Sequence, residues 1–166
     1  MILFLIIVVI ALALDLITKA LSQGMDAVSV IPQVLTFIYA ENTGASGGIF
    51  SDFTFYLTIF SILVVGAFLV FYFASKTANE FKKSKTFNVG TALIVAGALG
   101  NMVDRLFFGF VRDFIYIELF NFFPFTTIFN IADILINAGV VILIVYIFFI
   151  YRAKEQKPGV SGDEIR

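Results

Sequence analysis

Long apolar runs, most of them with polar residues gathered at one end, dominate the pattern along this chain. A helix needs roughly 20 mostly apolar residues to cross the hydrocarbon core of a membrane. Segments 2–21, 53–75, 87–108 and 128–151 meet that requirement. The first and third contain charges, yet their apolar content keeps both as spans. The run Met1 to Leu14 lacks a basic start and a small-residue cleavage site, and Asp15 and Lys19 follow directly. It therefore reads as a retained span rather than a secretory leader.

The connections differ in character. Within the outer loop 22–52, Val28-Ser29-Val30-Ile31 and Val34-Leu35-Thr36-Phe37-Ile38-Tyr39 are β-prone stretches divided by Pro32. A glycine-rich turn segment, Glu41 to Gly48, comes next. The loop 76–86 is Lys-rich, and 109–127 is aromatic. The tail 152–166, with Pro158, Gly159 and Gly162, is polar and expected to be disordered. The predicted architecture is a mainly α membrane protein of one domain, residues 1–151. It has four transmembrane helices, a small extramembrane β-sheet forming a cradle, and a short outer loop or helix between spans three and four.

Composition supports this class. The chain is 60% apolar and 14% charged, with 22 Phe among its 166 residues. Soluble domains are less apolar and carry about 25% charged residues. A net charge of −1 without a basic stripe argues against a nucleic-acid partner. The absence of His and Cys removes thiolate and imidazole chemistry and leaves a zinc site only carboxylates, which zinc sites rarely use alone. No metal or cofactor is expected.

Basic residues set the expected orientation. Lys76, Lys82, Lys83 and Lys85 in the second loop and Arg152, Lys154, Lys157 and Arg166 in the tail make eight of the eleven. Both termini and that loop are thus expected to be cytoplasmic. With no Trp, Tyr56 and Tyr72 are expected to bracket the second span as interfacial anchors. This topology collects the polar groups of the spans at the outer face: Asp15 and Lys19, then Asn101, Asp104 and Arg105, then Asn130 and Asp133, with Asp113 in the joining loop.

Each cluster has a plain structural role available beside a functional one. Asp15 and Lys19 are spaced i, i+4 and can pair on one helix face. Asn101, Asp104 and Arg105 share a face behind Gly97 and Gly100, where Arg105 suits a clamp on acids of a neighbouring helix. Asn130 and Asp133 fit an N-cap and an acid at the positive end of a helix. Asp113 alone would be a solvated loop acid. Two carboxylates at one membrane boundary, however, mark a functional site by default. The glycine-rich segment lacks the Gly-Lys-Ser/Thr ending of a phosphate loop. Ser46 and Lys19 could form a Ser–Lys nucleophile pair, although nothing in the sequence brings them together. A proton-coupled transporter would use the same acids as a relay, but transporters favour midplane sites and internal repeats. A non-enzymatic assembly factor, with polar clusters only stapling helices, is the third reading.

Five segments in order resemble one family. They are Asp15-Leu16-Ile17-Thr18-Lys19, Asn42-Thr43-Gly44-Ala45-Ser46, Gly97-Ala98-Leu99-Gly100-Asn101-Met102-Val103-Asp104-Arg105, Val111-Arg112-Asp113-Phe114 and Phe129-Asn130-Ile131-Ala132-Asp133. Together they look like the motifs of lipoprotein signal peptidase (signal peptidase II). The resemblance implies a bacterial inner-membrane aspartyl endopeptidase that cuts prolipoproteins before a diacylglyceryl-modified cysteine. It implies Asp113 and Asp133 as the catalytic dyad, with no cofactor. It makes Asn42, Gly44, Asn101, Arg105 and Asn130 residues that support or line the site. Asp15, Lys19 and Asp104 become polar positions that hold the helices. A monomer is expected, acting in membrane lipid on that substrate. The apolar side chains of Phe114, Phe120, Phe122, Phe123 and Phe125 are candidates for contact with acyl chains or, equally, for interfacial anchoring. Leu16, Arg112 and the pair Ser46-Gly47 depart from the family's usual residues.

Overall fold

A computed structural model describes residues 2–44, 54–74, 81–118 and 127–151. The anticipated Ser46, Gly47, Phe120, Phe122, Phe123, Phe125, Lys76 and tail 152–166 lie outside the described residues. Helix α1 spans Ile2–Ser22, α2 Thr54–Ala74, α3 Lys85–Phe108 and α4 Ile131–Val145, which continues as a π-helical turn over Tyr146–Tyr151. All four are long and apolar enough to cross a membrane. Large apolar residues such as Val9, Phe60, Leu63, Phe107 and Phe149 stand exposed on them, as lipid-facing side chains do.

Helix α3 is the hub, packed against α1, α2 and α4. Its buried face, Gly90, Thr91, Ala92, Val95, Ala96, Gly97, Gly100 and Asn101, is made of small and short polar residues, so neighbouring backbones can come close. Ser84 caps its start by accepting from Phe87 N–H. Gly109, at φ 81°, ends it by donating to the Arg105 carbonyl. That left-handed turn costs glycine little and sends the chain directly into a strand.

That strand differs from expectation. Where 109–127 was expected as a loop or short helix, Val111–Ile117 forms β3 and Thr127–Phe129 forms β4. They join the anticipated hairpin, β1 (Val28–Ile31) and β2 (Leu35–Asn42), in one antiparallel sheet of order β1-β2-β3-β4. The β-branched and aromatic residues of Val111–Ile117 suit a strand. Its partner β2 lies about 75 residues away, so local pattern alone did not reveal the pairing. Register sets Ala40 opposite Asp113 and Asn42 opposite Val111, after an irregularity between Phe37 and Ala40.

Two aromatic expectations also change. Tyr72, expected as an interfacial anchor, is only 1% exposed. It stacks on Phe4 at 4.6 Å and donates its hydroxyl to Asn88 at 2.6 Å. Phe114, a candidate for contact with acyl chains, is buried within the protein.

Candidate active site

The site is assembled where the C-terminal ends of α1 and α3 meet the N-terminus of α4, with β2 and β3 lying across them. Asn130 is the N-cap of α4: its side chain accepts from Asp133 N–H at 3.0 Å, and the Asp133 carboxylate accepts from Asn130 N–H at 3.3 Å. This reciprocal cap satisfies two otherwise orphaned donors. A third, Ala132 N–H, donates to Asp15 Oδ1 of α1 at 2.8 Å. The close approach depends on glycine. A Cβ at Gly97 would run into the Ala132 carbonyl, and one at Gly100 into the Asp15 carboxylate.

Beneath the acids lies a buried layer of charge. Lys19 Nζ is 2.9 Å from Asp15 Oδ2 and 3.5 Å from Asp104 Oδ2, and all three residues are 0% exposed. Asp104 also holds Arg112: Arg112 Nη2 donates to Asp104 Oδ1 at 2.7 Å, and Arg112 backbone N–H to Oδ2 at 2.9 Å. Two acids and two cations thus close the layer at zero net charge. Such groups persist away from water only when paired and hydrogen-bonded.

Amides connect that layer to the acids above it. Asn101 Oδ1 accepts from Lys19 Nζ at 2.9 Å and from Asn130 Nδ2 at 3.2 Å. Its amide nitrogen is thereby aimed at Asp133 Oδ1, to which it donates at 2.9 Å. Asn130 Nδ2 donates in addition to Asp113 Oδ1 at 2.6 Å, and Asn42 Nδ2 to Asp113 Oδ2 at 2.9 Å. A single residue, Asn130, therefore bonds both acids. Asp113 is 2% exposed. Burial foremost, and the charge of Asp133 as well, push its carboxyl up to about 6, against the pull of Asn42, Asn130 and Lys19.

Asp133, half-buried, opens onto a cavity of about 620 Å³. Ile134, Asn137, Ala138, Val141 and Ile142, on one side of α4, and Phe129 form its other walls. The result is an apolar groove along α4 with a carboxylate at its head. Arg105 donates to the Gly44 carbonyl at 3.2 Å, and its buried Nε has no partner among the described residues. It reaches the field of Asp133, Asp113 and Asp104 without clamping any of them.

All ten residues singled out from the sequence fall in this one region. Lys19 is fully engaged, so it offers no free amine to a nucleophile. Sequence reasoning missed Arg112, treated only as an unusual residue. The charge balance held the clue: Asp15 and Asp104 need two cations, and Lys19 supplies one. Among the described residues no group of three or more acids is arranged to hold a metal ion.

Comparison with known proteins identifies the family. The family model described as signal peptidase (SPase) II matches residues 7–149. A lipoprotein signal peptidase of Clostridium tetani is 36% identical over 147 residues, 86% of this chain and 90% of that protein. Another, of Thermodesulfovibrio yellowstonii, is 38% identical over 80% of this chain and 86% of its own length. Among solved structures, a bacterial membrane enzyme determined by the in meso method superposes with a TM-score of 0.76 at 30% identity, covering 98% of this chain and 94% of that one. These matches set aside the transporter and assembly-factor readings. The chain belongs to the signal peptidase II family and is a peptidase of the aspartic type.

Proposed function

We propose that Asp113 and Asp133 form a catalytic dyad that removes signal peptides from diacylglyceryl-modified prolipoproteins, cutting just before the modified cysteine. The observation that carries this reading is Asn130 bonded to both carboxylates at the head of an apolar groove. The groove suits the signal-peptide helix, which must arrive within the bilayer. The distribution of Lys and Arg supports placing the site at the outer face with both termini cytoplasmic. The protein acts as a monomer and needs no cofactor.

The two acids divide the chemistry. Asp113, buried and raised to about 6, is the member that keeps the shared proton. Asp133, facing the groove, is the ionised base. It takes a proton from water as the water oxygen attacks the scissile carbonyl carbon. Asp113 protonates the carbonyl oxygen, giving a neutral tetrahedral diol. Asp133 then gives its proton to the leaving nitrogen as the C–N bond breaks. Asp113 recovers a proton from the diol, and both acids return to their starting states. Arg105, with an unbonded Nε, and Asn42 supply donors for substrate carbonyls. Asn101, Asn130 and Gly44 hold the acids and Arg105 in place, while Asp15, Lys19 and Asp104 lock the helices beneath.

The test is cleavage of a purified diacylglyceryl-modified prolipoprotein by the protein reconstituted in lipid. The wild type is expected to release the signal peptide, and Asp113→Asn and Asp133→Asn to lose at least about 10³-fold in rate. Cleavage that survives either substitution would sink the dyad.

A further inference from the structure

We infer that Arg112 is a positioning residue of this site: it sets the face of β3 that presents Asp113, and it keeps Lys19 on Asn101. The inference rests on the dyad proposed above and assigns a task to a residue outside it.

The geometry acts through two routes. The first is mechanical. Arg112 is 5% exposed, and its guanidinium meets Asp104 through Nη2 at 2.7 Å and Nε at 3.2 Å. Its backbone N–H donates to the same carboxylate at 2.9 Å, and its guanidinium carbon stands 4.4 Å from the centre of the Phe108 ring. One residue thus ties β3 to the last turns of α3 by main chain and side chain together. Successive strand residues point to opposite faces. Locking Arg112 toward α3 therefore fixes the roll of the strand and turns the next residue, Asp113, toward Asn42 and Asn130. The planar fork does this in a way a single ammonium does not.

The second route is electrostatic. Asp104 sits between two cations. Because Arg112 takes it through several hydrogen bonds, Lys19 stands back at 3.5 Å and makes its two 2.9 Å contacts to Asp15 and Asn101. Asn101 in turn orients Asp133. Without the Arg112 guanidinium, Lys19 is the one cation left to Asp104 beside the backbone N–H of residue 112, and the ammonium is drawn off Asn101. The charged groups facing Asp113 are Asp133 on α4, Lys19 on α1 and Arg105 on α3. Those facing Arg112 are Asp104 on α3, with Tyr39 and Glu41 on β2. Lys19 is the cation that stabilises the Asp113 carboxylate, so its retreat leaves that carboxylate holding its proton to higher pH.

The experiment compares Arg112→Met and Arg112→Lys with the wild type in the prolipoprotein cleavage assay, with kcat and KM measured across pH and the folded fraction counted by thermal unfolding. Arg112→Met is expected to lower kcat per folded molecule by roughly 10- to 100-fold, the scale of a small misplacement of reacting groups, with KM little changed. The alkaline limb of its kcat/KM profile is expected to move up by about half a pH unit. Arg112→Lys, which keeps the charge and loses the fork, is expected to keep the limb in place while kcat falls several-fold. Should Arg112→Met not fold, Arg112→Lys alone decides. A Lys variant indistinguishable from the wild type overturns the inference, as does an Arg112→Met protein that loses stability but keeps its per-molecule kcat and pH profile. Asp113→Asn and Asp133→Asn run alongside: if they still cleave, the dyad and this inference fall together. If they are dead while the Arg112 variants behave as wild type, only the inference falls.

Discussion

At one end of the helical bundle, Phe4, Tyr72, Phe87 and Tyr146 are buried ring against ring, Phe4 on Tyr72 at 4.6 Å and Phe87 against Tyr146 at 5.7 Å. At the other end, Asp15, Lys19, Asp104, Arg112 and Asn130 fill equally buried space with charges and an amide. The aromatic end is held by apolar area and ring contact, which depend on volume more than identity. The polar end carries a desolvation cost that is offset only while every partner is present. The first can lose a methyl and repack. The second fails as a unit, which is why one can serve as a scaffold and the other as a site.

The largest expected break in that contrast is Lys19→Ala. It strands Asp15 beside the start of α4 and leaves Asp104 with Arg112 alone. Removing one member of a buried ion cluster costs about 3–5 kcal/mol. Thermal unfolding in detergent micelles should record that loss, and cleavage should disappear with it because Asn101 loses one of the two donors that orient it.

Gly97→Ala should come next. Its new methyl would meet the Ala132 carbonyl, a backbone atom that cannot swing aside, so α3 and the first turn of α4 must separate. Overpacking of this kind costs about 1–3 kcal/mol. The separation also moves Asp133, one residue along the same turn. A large fall in kcat per folded molecule is therefore expected, while an alanine with wild-type kcat would show the helix contact to be incidental to the site.

The polar end was largely legible in the sequence because buried charge is rare and its spacing is periodic. Asp15 and Lys19 at i, i+4 do pair, and Asn130 with Asp133 does cap α4. What was not legible is long-range. β3 pairs with a strand about 75 residues away, and Arg112 reaches Asp104 across the turn at Gly109 rather than along one helix. Arg105, expected as a clamp on acids, holds the Gly44 carbonyl instead, a contact set by how the β2 end folds back. At the aromatic end, Tyr72 departs from expectation for the opposite reason. Tyr at the end of a span is ordinary at an interface, and only Asn88, a partner for its hydroxyl, marks Tyr72 as buried.

A further effect concerns pH. With Asp113 raised to about 6, the proton it must donate is lost as pH rises through that value. The kcat/KM profile should therefore fall on its alkaline side from about 6, tenfold or about 1.4 kcal/mol for each further unit. The same shift makes a stability claim of definite sign. A carboxyl whose folded value lies above its unfolded value binds its proton more tightly when folded, so its contribution is full below 3.8 and is lost as pH rises through about 6. Melting measured between pH 4 and 7 should show a steeper decline in the wild type than in a variant lacking the Asp113 carboxyl.

The smallest expected effect, Tyr72→Phe, sharpens the comparison from the aromatic side. The ring stays, with its stacking on Phe4, and only the hydroxyl is lost. Asn88 Oδ1 then loses its 2.6 Å donor, while Asn88 Nδ2 keeps the Lys82 and Ser84 carbonyls at 2.7 and 2.9 Å. One hydrogen bond lost in a partly satisfied place costs about 1–2 kcal/mol. Because Tyr72 lies at the end of α2 remote from the acids, kcat and the alkaline limb should match the wild type while the melting point falls. If the cleavage rate fell as well, the two ends would be coupled through the packing of α3, and the division between scaffold and site would not hold.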